Sequence, residues 1–199
     1  MKILIDNNPL EEKITLPKSF PEFCEQIMGI LLARNLSIGT CEFDGTIVNT
    51  LEEAHDLFAS CETCKIASIP LAVALEAALA CKVSDAKRLE AECETLVTQA
   101  LLGEPTEIAL RWQSICEEIK AQIGFLPRLS GLLTDAQVNQ LVDRQLKDLG
   151  KVMHSLHAAF NNADTLEISD SIELRLLPWL RQLRAFMENC LQLVKTLHR

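Results

Sequence analysis

Tyrosine is absent from the sequence, and aromatic residues of all kinds make up only 5% of it. A hydrophobic core must therefore be built mainly from Leu, Ile, Val, Ala and Cys, which favours helices packed on helices. Internal repeats and low-complexity tracts are missing as well. With 48% hydrophobic and 24% charged residues, the chain of 199 residues has the composition of an ordinary globular protein of one domain or two small ones.

A surplus of basic residues is also missing. The formal net charge is −9, and acidic side chains outnumber basic ones both before and after Pro70. Nucleic-acid binding depends on Lys and Arg that neutralise phosphates, and adhesion to an anionic membrane surface needs the same surplus. We therefore expect no nucleic-acid partner and no membrane partner. A protein or peptide with a basic or apolar surface is the expected partner.

Long apolar runs are absent too. The apolar run at the start of the chain stops at Asp6, too early for a signal-peptide core. The longest candidate for a membrane span, residues 66–81, contains Glu76. These absences predict a cytoplasmic protein whose eight cysteines stay reduced. Five of them lie within helical patterns and are expected to be small buried hydrophobic residues: Cys24, Cys81, Cys93, Cys116 and Cys190.

The character of the chain changes at Pro70, and residues 1–69 are predicted to form a small α+β unit. The predicted strands are Lys2–Asp6, Lys13–Leu16, Thr40–Phe43, Thr46–Val48 and Cys64–Ile69. Asn7-Asn8-Pro9 is a turn cluster, and Ser19 is placed to cap a first helix. Leu51–Phe58 is a second, short helix. A small sheet with a helix across one face looks like a β-grasp, or ubiquitin-like, arrangement.

Residues 70–199 are predicted to form an antiparallel bundle of about four helices, which makes the whole chain α+β but predominantly helical. Residues 127–131 are expected to be a loop, and Pro178 is expected to kink or split the last helix just before Trp179. The apolar stripe of the third helix is Val138, Val142, Leu146, Leu149, Met153, Leu156 and Phe160. The stripe of the fourth is Ile168, Ile172, Leu176, Trp179, Leu183, Phe186, Cys190 and Leu197.

Two short segments carry a resemblance. The run from Cys41 to Val48 (CEFDGTIV) and residues 164–179, which end in Leu-Leu-Pro-Trp, resemble segments of uncharacterised bacterial proteins. Those proteins join a small β-containing head to a helical bundle. The resemblance implies that fold for this chain; it implies no activity and no catalytic residues.

No complete catalytic motif is present. The sequence has no Gly-x-Ser-x-Gly element and no phosphate-cradling glycine loop, so no cofactor is expected. His154 and His157 lie three residues apart in the third predicted helix, but no Glu-x-x-His pair of a di-iron bundle accompanies them. They are expected at the solvent border of the apolar stripe.

One pair of cysteines has the spacing of metal ligands: Cys61-Glu62-Thr63-Cys64. A closed tetrahedral zinc site needs two further ligands, which Cys41 and His55 would supply. A redox role would place the pair at a helix N-terminus, whereas here it follows a helix and precedes a strand. The favoured interpretation is structural, with Cys61 and Cys64 the most accessible thiols because they border a loop.

These observations favour a non-enzymatic protein-binding role, as an adaptor or a chaperone-like protein that holds an amphipathic helix in a groove or lends a sheet edge to an extended peptide. Two alternatives stay open. One is a metal-binding or thiol-redox protein that uses Cys61 and Cys64. The other is a structural homo-oligomer.

Overall fold

The computed structural model describes residues 1–10, 19–48, 50–102, 105–133 and 136–197. It is 75% helical, with a small five-stranded mixed sheet near the N-terminus followed by a helical region. The predicted class, α+β and predominantly helical, is confirmed. The chain forms two compact units, which we call the sheet unit (residues 1–78 with 194–199) and the helical unit (residues 79–193). A domain boundary between residues 69 and 70 stays a prediction.

The sheet unit contains the β-grasp arrangement. Before Leu71 its described elements are β1 (Lys2–Ile5), β2 (Asn8–Pro9), α1 (Phe20–Leu32), β3 (Leu36–Phe43), β4 (Thr46–Val48), α2 (Leu51–Phe58) and β5 (Thr63–Pro70). The strand order is β2-β1-β5-β3-β4. β1 runs parallel to β5, and the other neighbouring pairs are antiparallel. The central strand β5 is therefore the last described strand in the sequence. It lies between two hairpins, β1–β2 and β3–β4, and pairs with one strand of each.

The first hairpin differs from the predicted one. Asp6 and Asn7 form its turn, with φ angles of 49° and 65°, and Asn8–Pro9 is the returning strand rather than part of the turn. Two successive residues in the left-handed region are typical of the tight turns that join hairpin strands, and Asp and Asn tolerate this region. The predicted strand Lys13–Leu16 lies outside the described residues.

Helix α1 covers one face of the sheet. Its N-terminus is capped as predicted, because the Ser19 hydroxyl accepts a hydrogen bond from the Glu22 backbone N–H at 3.4 Å. Four phenylalanine residues form an aromatic cluster at this helix. The rings of Phe20 and Phe23 on α1, Phe43 on β3 and Phe58 on α2 have neighbouring centroids 5.2 to 6.2 Å apart. The sheet unit thus has a real core, although it is small.

The helical region is built from long helices with short connections. Its described elements are α3 (Leu71–Leu102), α4 (Pro105–Ile123), α5 (Leu126–Leu133), α6 (Ala136–Asn161), α7 (Thr165–Ser171), a π-helical segment (Ile172–Leu176) and α8 (Leu177–Leu197). Residues 127–131, predicted as a loop, belong to α5. Pro127 is tolerated there because a first-turn residue needs no intrahelical N–H bond, and Leu126 and Leu129 are buried.

The long helices run antiparallel, as predicted. Arg184 Nε on α8 lies 2.7 Å from Glu90 Oε1 on α3. Further back along α8, Arg181 Nη2 lies 2.9 Å from Glu94 Oε1, which is further on along α3. Hydrogen bonds show that α4 also runs antiparallel to α3, because later residues of α4 contact earlier residues of α3. The hydrogen bonds of α6 show the same antiparallel relation to α7 and α8. The ion pairs between α3 and α8 lie at or near the surface, whereas the buried core between the helices is mostly aliphatic.

The irregularity near Pro178 lies on its N-terminal side. The helix is not split before Trp179; it changes to π-helix over Ile172–Leu176 and then continues as α8. The Leu177 N–H bonds to the Ile172 carbonyl, five residues back. Because proline has no N–H, the turn that precedes it lacks one hydrogen bond in any case, and a wider turn is accommodated there.

Candidate functional site

Two cysteines from different strands meet on the sheet. Cys41 of β3 is paired with Ile66 of β5, and Phe43 with Cys64, so the two cysteines are diagonal neighbours on one face. Their sulfur atoms are 3.6 Å apart. Cys64 is completely buried, whereas Cys41 is half-buried. The sheet register therefore holds two thiols in contact, one of them within reach of solvent.

The contact makes the two thiols unequal. A hydrogen bond from Cys64 lowers the pKa of Cys41, and this effect outweighs the burial of Cys41. The pKa of Cys64 is raised, first by the same hydrogen bond and then by its own burial. Cys41 is consequently the first of the pair to ionise, and the thiolate is the reactive form of a cysteine.

Cys24 and Cys61 complete a group that we call the thiol cluster: Cys24, Cys41, Cys61 and Cys64. Cys24, on α1, has a pKa raised to about 11 by burial and by the nearby Cys41. The Cys61 thiol lies in the loop before β5 and donates to the Phe58 carbonyl at 3.4 Å. Burial raises the pKa of Cys61, and Asp44 adds to the rise. Both side chains are near enough to add to the raised pKa of Cys64.

Sequence reasoning missed Cys24 as a member of this cluster. The helical period of α1 places Cys24 beside Phe23 and Ile27, on the flank of the buried stripe, and gives no indication of which strand lies opposite. The signal that would have found it is the sheet topology, since only the placement of β3 next to β5 brings Cys41 toward α1.

The proposed zinc ligands are brought together only in part. Cys41 and Cys64 are in contact, whereas the His55 side chain is 75% exposed on α2 with the Asp56 carboxylate 4.0 Å away. Within the portion of the chain that the structure describes, no group of three or more His, Cys, Asp or Glu side chains is arranged to hold a metal ion. The predicted metal-binding role of Cys61, Cys64, Cys41 and His55 stays a prediction.

The predicted accessibility of the thiols is wrong for Cys64 and Cys81, and Cys24 and Cys116 are less buried than predicted. Cys64 is buried because it lies inside strand β5 and not in the loop before it. Cys81 is exposed, since it falls on the outer side of the long helix α3. Cys93 and Cys190 are buried as predicted, and Cys24 and Cys116 are half-buried. The helical periodicity of the sequence placed these cysteines near the apolar stripe of each helix, but it did not show whether each one lies on the buried or the solvent side of that stripe.

The histidines and tryptophans of the bundle behave as packing and surface residues. His154 and His157 are both exposed on α6. Trp179 is buried, and its indole Nε1 donates to the Gln145 carbonyl at 3.0 Å. Trp112 is half-buried and stacks on Phe160, with ring centroids 5.1 Å apart. The contacts of these four side chains assemble no catalytic group.

One edge of the sheet has a feature that sequence reasoning did not foresee. Strand β4 pairs only with the last three residues of β3, 41–43. Among the described strands, none lies beyond β4 or alongside residues 36–40 of β3 on that side. We call residues 36–40 and 46–48 the open edge. It contains no charged residue and no proline, and its Ile47 side chain is 56% exposed.

The hairpin geometry decides which way the backbone of Ile47 points. Phe43 and Thr46 flank the two-residue turn Asp44-Gly45, and residues that flank such a turn form a hydrogen-bonded pair. Since hydrogen-bonded and non-hydrogen-bonded pairs alternate, Glu42 and Ile47 form a non-hydrogen-bonded pair. The N–H and C=O of Ile47 therefore point away from β3, toward the position that a further strand would occupy.

None of the helices in the described part of the chain has the length and apolar character needed to cross a membrane. Comparison of the chain with family models, with curated proteins and with solved structures gives no match.

Proposed function

We propose that the protein is a non-enzymatic protein-binding adaptor that takes up an extended peptide as an added strand along the open edge. The observation that carries the proposal is that the open edge has no charge, no proline and, among the described residues, no covering strand. Natural sheets block an exposed edge with Lys, proline, a short edge strand, a bulge or a covering segment, because unpaired backbone groups recruit other strands. The open edge has two of these features, since β4 is three residues long and β3 is bulged between Ile38 and Thr40, but Ile47 lies outside the bulge. Residues 36–40 and 46–48 carry neither charge nor proline.

The chemistry of the edge defines the peptide. Backbone hydrogen bonds to Ile47 and its neighbours supply affinity without sequence preference, and alternate side chains supply specificity. Ile47 offers an exposed apolar contact on the edge, whereas Ile38 packs against the core of the sheet unit. The protein as a whole has a net charge of −9, which steers a positively charged segment toward it. The preferred partner is thus a segment with alternating apolar residues and flanking Lys or Arg.

The net charge of −9 also argues against nucleic acid or an anionic lipid surface as the partner, because a protein binds either of these through basic patches. We also assign the protein to the cytoplasm. This assignment fits the eight cysteines, which have no disulfide partner in the structure and would remain free thiols in a reducing compartment.

Selection from a displayed library of random peptides on the full-length protein, followed by titration of the enriched peptides, tests the function. Peptides with alternating apolar residues should be enriched. Ile47→Pro removes the outward N–H but leaves the bonds between β3 and β4, so it should weaken binding by at least about tenfold. Ile47→Thr keeps the N–H and loses apolar surface; it should weaken binding less.

Leu110→Thr is the control for Ile47→Thr, because Leu110 on α4 is an apolar residue of similar exposure, 64% against 56% for Ile47. It should leave binding unchanged. Equal binding of the enriched peptides to the wild type and to Ile47→Pro would contradict the proposal, as would a selection that enriches no peptide. A dimer in solution that Ile47→Pro converts to a monomer would show that a second copy of the chain occupies the edge, and would replace the adaptor by a homo-oligomer.

A further inference from the structure

The contact between the Cys41 and Cys64 sulfur atoms is a starting geometry for a disulfide bond. A disulfide needs the sulfur atoms about 2.0 Å apart, and they now lie at 3.6 Å. Diagonal neighbours have Cα atoms about 7–8 Å apart, at the upper limit for a disulfide, so bond formation takes rotation about the two Cα–Cβ bonds together with a small shift of the two strands. The register of β3 against β5 already holds the side chains on one face and aims them at each other. The other close sulfur contact of the thiol cluster, Cys61 with the Met1 thioether at 3.2 Å, has no second thiol.

We propose that Cys41 and Cys64 form a reversible disulfide when the protein meets a peroxide. The Cys41 thiolate attacks one oxygen of hydrogen peroxide. A sulfur–oxygen bond forms, the oxygen–oxygen bond breaks, and the departing hydroxide takes up the proton that Cys41 released, giving water. The Cys64 thiol then passes its proton to the sulfenic oxygen, and the resulting Cys64 thiolate attacks the Cys41 sulfur. The sulfur–sulfur bond forms, the sulfur–oxygen bond breaks, and the Cys64 proton leaves in a second water. The two sulfurs lose two electrons, and the peroxide gains them.

The division of roles follows from burial. Cys64 is completely buried and cannot meet the peroxide, whereas Cys41 is half-buried. A sulfenic acid at Cys41 forms against the neighbour that will resolve it, so it is removed before further oxidation. The hydrogen bond from Cys64, which favours the Cys41 thiolate, supports the same order.

The structure thereby selects a different pair from the one that spacing in the sequence indicates. Cys61 and Cys64 are three residues apart, but the Cys61 thiol is turned to the Phe58 carbonyl and to Met1. The bond between Cys41 and Cys64 would tie the central strand β5 to β3 and close a loop across 23 positions of sequence. Such a link restricts the unfolded chain and should raise the unfolding temperature. This inference is independent of the proposed function.

The test uses the full-length protein with Cys81→Ser, which removes the exposed thiol that would link two molecules. The protein is treated with hydrogen peroxide, digested without reduction and analysed by mass spectrometry. We expect one internal link, between the peptides that contain Cys41 and Cys64, and a raised unfolding temperature that returns to its starting value after dithiothreitol. Cys24→Ser and Cys61→Ser should leave this link in place.

A second variant separates the two steps. In Cys64→Ala the sulfenic acid has no resolving partner, so a sulfenic-acid reagent such as dimedone should label Cys41 and no other member of the thiol cluster. The wild-type link is read directly and does not depend on the folding of this variant. A dominant link between Cys61 and Cys64 or between Cys24 and Cys41, or a Cys41 that stays a free thiol while other cysteines are oxidised, would overturn the proposal.

Discussion

The indole Nε1 of Trp179 donates a hydrogen bond to the backbone carbonyl of Gln145 at 3.0 Å, and so joins α8 to α6 inside the helical unit. We expect Trp179→Phe to lower the free energy of unfolding by about 1–3 kcal/mol, since it removes this bond and leaves a small void. Urea denaturation followed by circular dichroism measures the loss. Trp112→Phe is the control: Trp112 is half-buried and stacked on Phe160, so its loss should be smaller. Equal losses would mean that the hydrogen bond contributes nothing.

Phe186 lies on the inner side of α8 and is only 6% exposed. Phe186→Ala should destabilise the protein by about 3–5 kcal/mol, because it removes a large buried ring and leaves a cavity. The same urea experiment applies. Leu110→Ala, at a residue that is 64% exposed, should change stability by less than about 0.5 kcal/mol. A change below about 1 kcal/mol for Phe186→Ala would show that this side of α8 is not part of the core.

Asp6 links the first hairpin to β5, since its carboxylate accepts from the Ser68 N–H at 2.8 Å and from the Ser68 hydroxyl at 2.6 Å. These bonds lower the pKa of Asp6 below its ordinary value of 3.8. A lowered folded-state pKa stabilises the fold above the unfolded value, and this stability is lost as the pH falls through the folded value. Asp6→Asn should therefore be less stable than the wild type at about pH 6, and the difference should disappear toward about pH 2.

Urea midpoints of both proteins across that range measure the effect. Asn tolerates the left-handed turn, so the substitution tests the charge rather than the backbone. A difference that stays constant down to the lowest pH would show that the carboxylate charge contributes nothing.

Thiol titration of the native protein should show one fast group, Cys81, because it is the cysteine exposed on a helix surface. The half-buried thiols should follow slowly. Cys64, Cys93 and Cys190 are buried and should react only on unfolding. Cys81→Ser should abolish the fast phase. A fast phase that survives in Cys81→Ser would place the reactive thiol elsewhere, with Cys41 the first alternative.

The sequence predicted elements well where local signals decide them. Ser19 caps α1, Leu51–Phe58 is a helix, and the strands at 40–43 and 46–48 are in place. Signals that depend on the tertiary fold were missed. In α6 the buried set includes Gln145, Val152 and Ala159, while Leu146, Met153 and Phe160 are half-buried. Four of the seven positions of the predicted stripe are buried, and at the other three the preceding residue is buried instead, so the packed face lies slightly to one side of the most apolar face.

The candidate site shows the same limit. Spacing alone grouped Cys61 with Cys64, since a motif search measures distance along the chain. The pair that is in contact, Cys41 and Cys64, is separated by 23 positions and depends on β3 lying beside β5. The open edge likewise follows from strand order, which no local pattern encodes.

The π-helical segment keeps the buried side chains of this helix on one face. Ile168, Ile172 and Leu176 are spaced by four residues, and in a pure α-helix each such step turns the side chain by about 40° away from the previous one. The wider turn over Ile172–Leu176 cancels this drift, so all three remain buried along with Trp179 in α8. A π-helical turn holds one more residue than an α-helical turn, so removing one residue from the segment would restore α-helical bonding and leave everything that follows at nearly the same angle. Trp179 would stay directed at the core, so this stretch is expected to tolerate the loss of one residue, whereas a deletion within the α-helical part of α8 would rotate the residues that follow by about 100°.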